Sequence, residues 1–156
     1  MNYKRILVAV DGSKGASGAL KKGIELVKEN QAHLDILKVM ELNSFDYGNS
    51  GMVLDGEQIY QLEQSNEQYL KELGNQLLQK AGLKKDQFNV HLRFGNPKTV
   101  IVEDFQPEYK NDLIIVGSTG KNFIERLVVG SVASFVTREA KCDVLIVKEG
   151  KKAIRK

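Results

Sequence analysis

Apolar positions fall along this chain in two alternating rhythms. Short unbroken runs at residues 6–10, 113–116 and 144–147 have strand length and are rich in β-branched side chains, as strands covered on both faces require. Residues 33–39 (HLDILKV) predict another strand through Leu34, Ile36, Leu37 and Val39. Residues 88–94 (FNVHLRF) alternate apolar with polar, which predicts a strand with one face less covered. Between these runs the period lengthens to that of a helix. Ala16, Ala19, Leu20, Gly23, Ile24 and Val27 share a face opposite Lys21, Lys22, Glu25 and Lys28, behind a turn at Asp11-Gly12-Ser13 in which Ser13 supplies an N-cap. Ile59, Leu62, Tyr69, Leu70, Leu73, Leu77 and Ala81 mark a long helix closed by Gly82. Val100, Ile101 and Phe105 stripe a short helix that starts at Pro97 and is expected to break at Pro107, and Val132, Ala133, Val136 and Ala140 stripe a last helix opening at Ser131.

The order is βαβαβαβαβ. Buried strands alternating with helices predict an α/β fold, one domain with a doubly wound, five-stranded parallel sheet in the order 3-2-1-4-5 and helices on both faces, because parallel crossovers must pass through helices laid on the sheet. Residues 1–149 form this domain and 150–156 a basic tail. Residues 41–56, rich in Asn, Gly and Ser, form a loop longer than most internal connections, expected to act as a lid that orders when something binds.

Composition narrows the setting. A chain of 156 residues buries one core without covalent staples, and its single cysteine, Cys142, has no partner within the chain. The start offers a strand-like ILVAV in place of a signal peptide, and no apolar run approaches the roughly 20 residues needed to cross a bilayer, so a cytoplasmic protein with no membrane partner is expected. The net charge of +3 comes from the end, where the last nine residues hold five basic side chains against one acidic. A basic tail without a basic folded face argues against a nucleic-acid partner. His33 and His91 have no ligand-spaced companions, so no protein-built metal site is expected and both are read as surface or edge residues. Cys142 precedes a buried strand and is read as a small packed side chain.

Candidate chemistry concentrates in residues 112–132, DLIIVGSTGKNFIERLVVGSV. A buried strand ends in Gly117-Ser118-Thr119-Gly120, and Gly130-Ser131 opens a helix whose free N–H groups can face an anion. The spacing is Gly, two residues, Gly, nine residues, Gly-Ser. It is neither a Walker loop nor the dinucleotide fingerprint. On its own it reads equally as a pair of ordinary turns. Its place strengthens it, since ligands of open parallel sheets lie beyond the carboxyl ends of strands where the order reverses, and Asp11 and Gly117 both sit at such ends. Lys121 and Arg126 are near enough in sequence to meet an anion, although basic loop residues are more often solvated.

Taken together, ILVAVDGS, GSTGKNFIERLVVGSVAS and TREAKCDVLIV resemble the universal stress protein family, in particular its ATP-binding branch, over nearly the whole chain. The resemblance implies the doubly wound fold, ATP or a related adenine nucleotide as ligand, Mg2+ or Mn2+ held through the phosphates, and a homodimer through the last strand. By position it implies Ala9, Val10 and Asp11 around the adenosine, Val39 at the adenine edge, and Val116 and Gly117 on the nucleoside side. Thr119, Gly120, Gly130, Ser131, Val132 and Ala133 fall around the phosphates. Ala133 stands where a hydroxyl is common, Thr119 where His or Arg is frequent, and Asp143 where Pro usually precedes the last strand. Two other classes remain open: an enzyme cleaving or transferring adenylyl groups, and a non-binding dimeric scaffold. Against the enzyme, no Walker lysine or kinase-like catalytic set is present, and the first loop is DGS where related synthetases carry SGGxDS. The expected function is a nucleotide-sensing regulator of the stress response, with slow hydrolysis at most.

Overall fold

In the computed structural model, residues 2–12, 14–41, 55–118 and 129–148 are described. The strands are β1 (Arg5–Val10), β2 (His33–Met40), β3 (Phe88–Phe94), β4 (Leu113–Gly117) and β5 (Asp143–Val147). All four pairings are parallel, in the order β3-β2-β1-β4-β5 that the alternation predicts. Helix α1 (Lys14–Asn30) joins β1 to β2 and α2 (Gly56–Gln76) precedes β3. A chain of short helical pieces, α3 (Pro97–Thr99), a π turn (Val100–Phe105) and α4 (Gln106–Tyr109), leads to β4, and α5 (Ser131–Glu139) leads to β5.

Strand geometry sends successive side chains to opposite faces and so makes two cores. Ile6, Val8, Val10, Leu34, Ile36 and Ile115 pack with Ala16, Ala19 and Val27 of α1 and with Leu77 beyond α2. Leu7, Leu37 and Ile114 pack on the other face with Ile101, Phe105, Ala133 and Val136. Helix α1 lies especially close to the sheet at Gly23, where an added Cβ would stand 2.5 Å from Val8 Cγ2.

Helix α2 starts earlier than its apolar stripe. Asp55 accepts from Gln58 N at 2.8 Å while Gln58 Oε1 accepts from Asp55 N at 2.9 Å, a reciprocal cap that fixes the first turn. It ends through a π turn (Leu77–Ala81) at Gly82, whose φ of 77° is the left-handed cap expected there. Most of the proposed 41–56 lid falls outside the described residues, as does the 150–156 tail.

Two expectations are corrected. Pro107 does not end its helix, which continues to Tyr109. The preceding turn widens to i→i+5 bonding, with Gln106 N–H reaching Ile101 O, and the helix restarts with Pro107 in its first turn, where a missing N–H costs least. His91 is not a surface residue either. Its strand is at the sheet edge, but its side chain is only 12 % exposed, lying edge-on to Phe105 at 4.8 Å and tilted 5.0 Å from Tyr109.

His91 is covered because it helps to hold a buried charge. The carboxylate of Asp35, fully buried in β2, accepts from Arg5 Nε at 2.6 Å and Nη2 at 3.0 Å, from Asn111 Nδ2 at 2.9 Å and from His91 Nε2 at 3.0 Å. A carboxylate only accepts, so His91 carries its hydrogen on Nε2. Burial, the largest single influence, pushes the Asp35 carboxyl upward, yet the hydrogen bonds from His91, Arg5 and Asn111 and the Arg5 charge together hold it well below the usual carboxylate range.

Two measurements test this packing. Gly23→Ala should lower the urea midpoint. Overpacking against a stiff, buried valine costs about 1–3 kcal/mol, whereas the gain in helix propensity is about 1 kcal/mol. Asp35 is ionised in the fold below the pH at which an unfolded aspartate protonates. Its stabilisation is therefore complete above about pH 4 and drains away as the pH falls below that. Arg5→Met, which removes the guanidinium from the buried carboxylate, should cost about 3 kcal/mol at pH 7 and flatten the loss of stability in acid. Equal midpoints for wild type and variant from pH 7 to pH 3 would contradict this account.

Candidate functional site

Strands β1 and β4 are neighbours, with Ile6, Leu7 and Val8 beside Leu113, Ile114 and Ile115. From β1 the chain crosses by α1 over one face, and β4 is reached through α4 over the other. The carboxyl ends of β1 and β4 therefore flank the point where the winding reverses, which is where the fold opens a crevice. At the β1 end Gly12 has φ +85°, a backbone that side chains strain to adopt, and an added Cβ would meet nothing within 4 Å. Its glycine is chosen for conformation.

At the β4 end the main chain of one residue organises the surroundings. Ser118 N donates to Val147 O at 3.0 Å, and Ser118 O accepts from Gly130 N at 2.6 Å. The second bond pins the start of α5 beside the end of β4. Gly130 is the N-cap residue, and among the described residues no side chain caps the helix. The first backbone bond back to it comes from Ser134 N, at 3.0 Å. The N–H groups of Ser131, Val132 and Ala133 thus have no intrahelical partner, and the helix dipole adds positive potential at the same place, an effect of about 0.3–1 kcal/mol per unit of negative charge. Gly130's own N–H is spent on Ser118.

The residues that the sequence singles out divide by face. Ala9, Val39, Val116, Val132 and Ala133 join one apolar cluster on the side of α5, with Gly117 half-buried and Ser131 exposed at its rim. They supply an apolar wall beside backbone donors, the donor set that a heterocycle carrying an anionic group needs. Asp11 follows β1 at the same edge, and its charge reaches Tyr69 of α2: burial first, and then Asp11, push the Tyr69 hydroxyl up. Val10 is the exception. It points to the opposite face, where with Gly12, Ala16, Ser17, Leu20, Tyr69 and Leu73 it lines a hollow of about 180 Å³. Thr119, Gly120, Lys121 and Arg126 lie outside the described residues.

Sequence reasoning passed over Ser118 as an organiser, although it sits inside the motif, because its part is played by the main chain and not the side chain. Among the described residues no group of three or more His, Cys, Asp or Glu side chains is arranged to hold a metal ion, and no helix is long and apolar enough to cross a membrane.

Comparison with known proteins agrees with the fold. A model of the universal stress protein family matches residues 2–148. A putative universal stress protein of Staphylococcus haemolyticus is 34% identical over 148 residues, covering 95% of this chain and 86% of that protein. The solved structure of universal stress protein UspA from Lactobacillus plantarum is similar with a TM-score of 0.77 at 29% identity, covering 94% of this chain and 99% of that one. A universal stress protein crystallised in complex with cAMP is similar with a TM-score of 0.59 at 25% identity, over 96% and 100% of the two chains.

Cys142 lies half-buried beside the α5 cluster, and burial first, then the charges of Asp143 and Asp112, push its thiol up to about 11. Since the thiolate is the reactive form, alkylation by iodoacetamide at pH 7.5 should be at least about tenfold slower in the folded protein than in urea. Equal rates would show that the fold does not suppress the thiolate.

Proposed function

Since the chain belongs to the universal stress protein family, we propose that it is a nucleotide-binding regulator that holds ATP or a related adenine nucleotide at the carboxyl ends of β1 and β4 and works as a homodimer. The observation that carries this reading is the start of α5, which no side chain among the described residues caps and which the Gly130–Ser118 bond fastens to the end of β4. The cAMP complex of the related protein supports an adenine nucleotide as the class of ligand.

In this reading Ala9, Val39 and Val116 form the apolar wall for the nucleoside, and the Asp11 carboxylate accepts from ribose hydroxyls. The N–H groups of Ser131, Val132 and Ala133 and the Ser131 hydroxyl hold phosphate oxygens, with Gly117, Thr119 and Gly120 closing the loop side. Ala133 offers its N–H alone, so it gives one contact fewer than a hydroxyl residue would. A bound ATP brings charge that a divalent cation such as Mg2+ or Mn2+ balances through the phosphates. The protein's own contribution is to bind and orient, and the reading requires no turnover.

The homodimer forms through β5. In the order β3-β2-β1-β4-β5 this strand is an edge, and Val144, Leu145, Ile146 and Val147 are only half-buried within one chain. Antiparallel pairing with a second β5 would satisfy both edges at once and is self-complementary by symmetry.

Gly130→Asp tests the nucleotide site. Aspartate is a favoured N-cap, and the backbone at Gly130 (φ −63°, ψ 164°) suits any residue, so the variant should fold. Its carboxylate would take the free N–H groups and place negative charge where the phosphates sit. ATP affinity by calorimetry should fall at least about tenfold, roughly 1.4 kcal/mol. Unchanged affinity in the folded variant would overturn the assignment.

A further inference from the structure

Helix α5 and strand β5 are tied together at both ends. At one end Ala140, Lys141 and Cys142 are the whole connection from the nine-residue helix into the strand, with Ala140 N still bonded to Val136 O at 2.9 Å. Along their length, Val132, Phe135 and Ala140 of the helix segment share an apolar cluster with Cys142, Val144 and Ile146. At the other end the main chain of Ser118 closes the ring. Its N–H holds the carbonyl of Val147, the last residue of β5, at 3.0 Å, and its carbonyl takes the N–H of Gly130, the first of the α5 segment, at 2.6 Å. With both ends fixed and the faces packed between them, β5 cannot shift without moving the start of α5.

Resting on the reading above, we propose that anion binding at the start of α5 and self-association through β5 are reciprocally linked through the main chain of Ser118. Each event requires the same closed arrangement. A nucleotide spanning the α5 start and the β4 end holds the Ser118–Gly130 bond, and a second β5 paired along the edge holds Val147 against Ser118. Whichever comes first bears the cost of ordering the unit, and the second binds more tightly. Linkage fixes the relation: with one site per chain, the factor by which saturating ATP strengthens the dimer equals the product of the factors by which dimerisation strengthens ATP binding at its two sites.

Sedimentation of the full chain with and without saturating ATP, together with calorimetry below and above the dimerisation range, tests this. The dimer dissociation constant should fall about tenfold with ATP, within the usual range of such couplings. ATP binding and dimerisation that are both present with an unchanged dissociation constant would overturn the linkage and leave the nucleotide reading standing. Absence of ATP binding would overturn both. Ser118→Ala keeps both main-chain bonds and should retain the linkage, and its loss there would refute the main-chain route. Ser118→Pro removes the N–H that holds Val147, so the linkage should fall to about twofold or less, and full linkage in that variant would refute the proposal. Should Ser118→Pro fail to fold, amide exchange in the wild type decides. Protection of the Ser118 and Gly130 amides should rise with ATP and with dimerisation alike, and no change in either would overturn the linkage.

Discussion

Parallel pairing is the constraint on which the rest of this molecule depends. Neighbouring strands that run the same way cannot be joined by a tight turn, so each connection must cross a face of the sheet, and the strands are buried on both sides in consequence. That is why Ile6, Leu7 and Val8 are all buried in succession, against different helices. It is also why a crevice exists. The order β3-β2-β1-β4-β5 sends α1 and α2 over one face and the α3–α5 elements over the other, and only between β1 and β4 do the two windings part. The proposed nucleotide site lies there, where the two windings part and the ends of β1 and β4 adjoin.

The opposite end of the sheet carries the opposite chemistry. Around Asp35 polar groups are drawn inward and paired: Arg5 from β1, His91 from β3 and Asn111 just ahead of β4 converge on one carboxylate of β2. One charge thereby touches every strand that flanks it and the segment entering β4. The arrangement is not free of cost. Asn111 Oδ1 has no hydrogen-bond partner among the described residues, although it is buried, a penalty of about 1–3 kcal/mol. It is tolerated because the same residue's Nδ2 completes the Asp35 shell and its main-chain oxygen accepts from Gln106 Nε2 at 2.9 Å. The buried polar pairing thus sits toward the amino ends of the strands, away from the proposed site at their carboxyl ends.

What could be read from the sequence follows from which signals are local. Strand runs such as residues 6–10, the face of α1 and the closure of α2 at Gly82 are set by neighbouring residues, so periodicity finds them. The sheet order follows from alternation together with the rules for parallel crossovers. Asp35 escaped because a single acid inside an apolar strand looks like a solvated position, and its partners lie 30, 56 and 76 residues away. His91 escaped for the same reason: the polar side of FNVHLRF looks like a solvent face until Phe105 and Tyr109 are laid upon it. Pro107 misled because the rule that proline ends helices assumes an unbroken i→i+4 ladder, and here a π turn absorbs the break. The glycine spacing drew attention to residues 112–132, and the division of the singled-out residues between two faces, with Val10 apart from Ala9, becomes visible once the sheet is built.

The glycines of that stretch have distinct physical causes. Gly12 at the end of β1 needs its freedom, since φ +85° is closed to most side chains while the space around it is open. Gly130 is the reverse. Its φ of −63° and ψ of 164° are available to any residue, so conformation does not explain a glycine there. Nor does donation to a ligand, because its N–H is already engaged with Ser118 O. What glycine does is withhold a cap: a polar side chain at an N-cap accepts from the N–H groups of the first turn, and glycine has none to offer. Glycine is itself an accepted N-cap, about a few tenths of a kcal/mol behind serine or aspartate, so its presence costs the helix little while it leaves the first-turn N–H groups without a side-chain cap from residue 130.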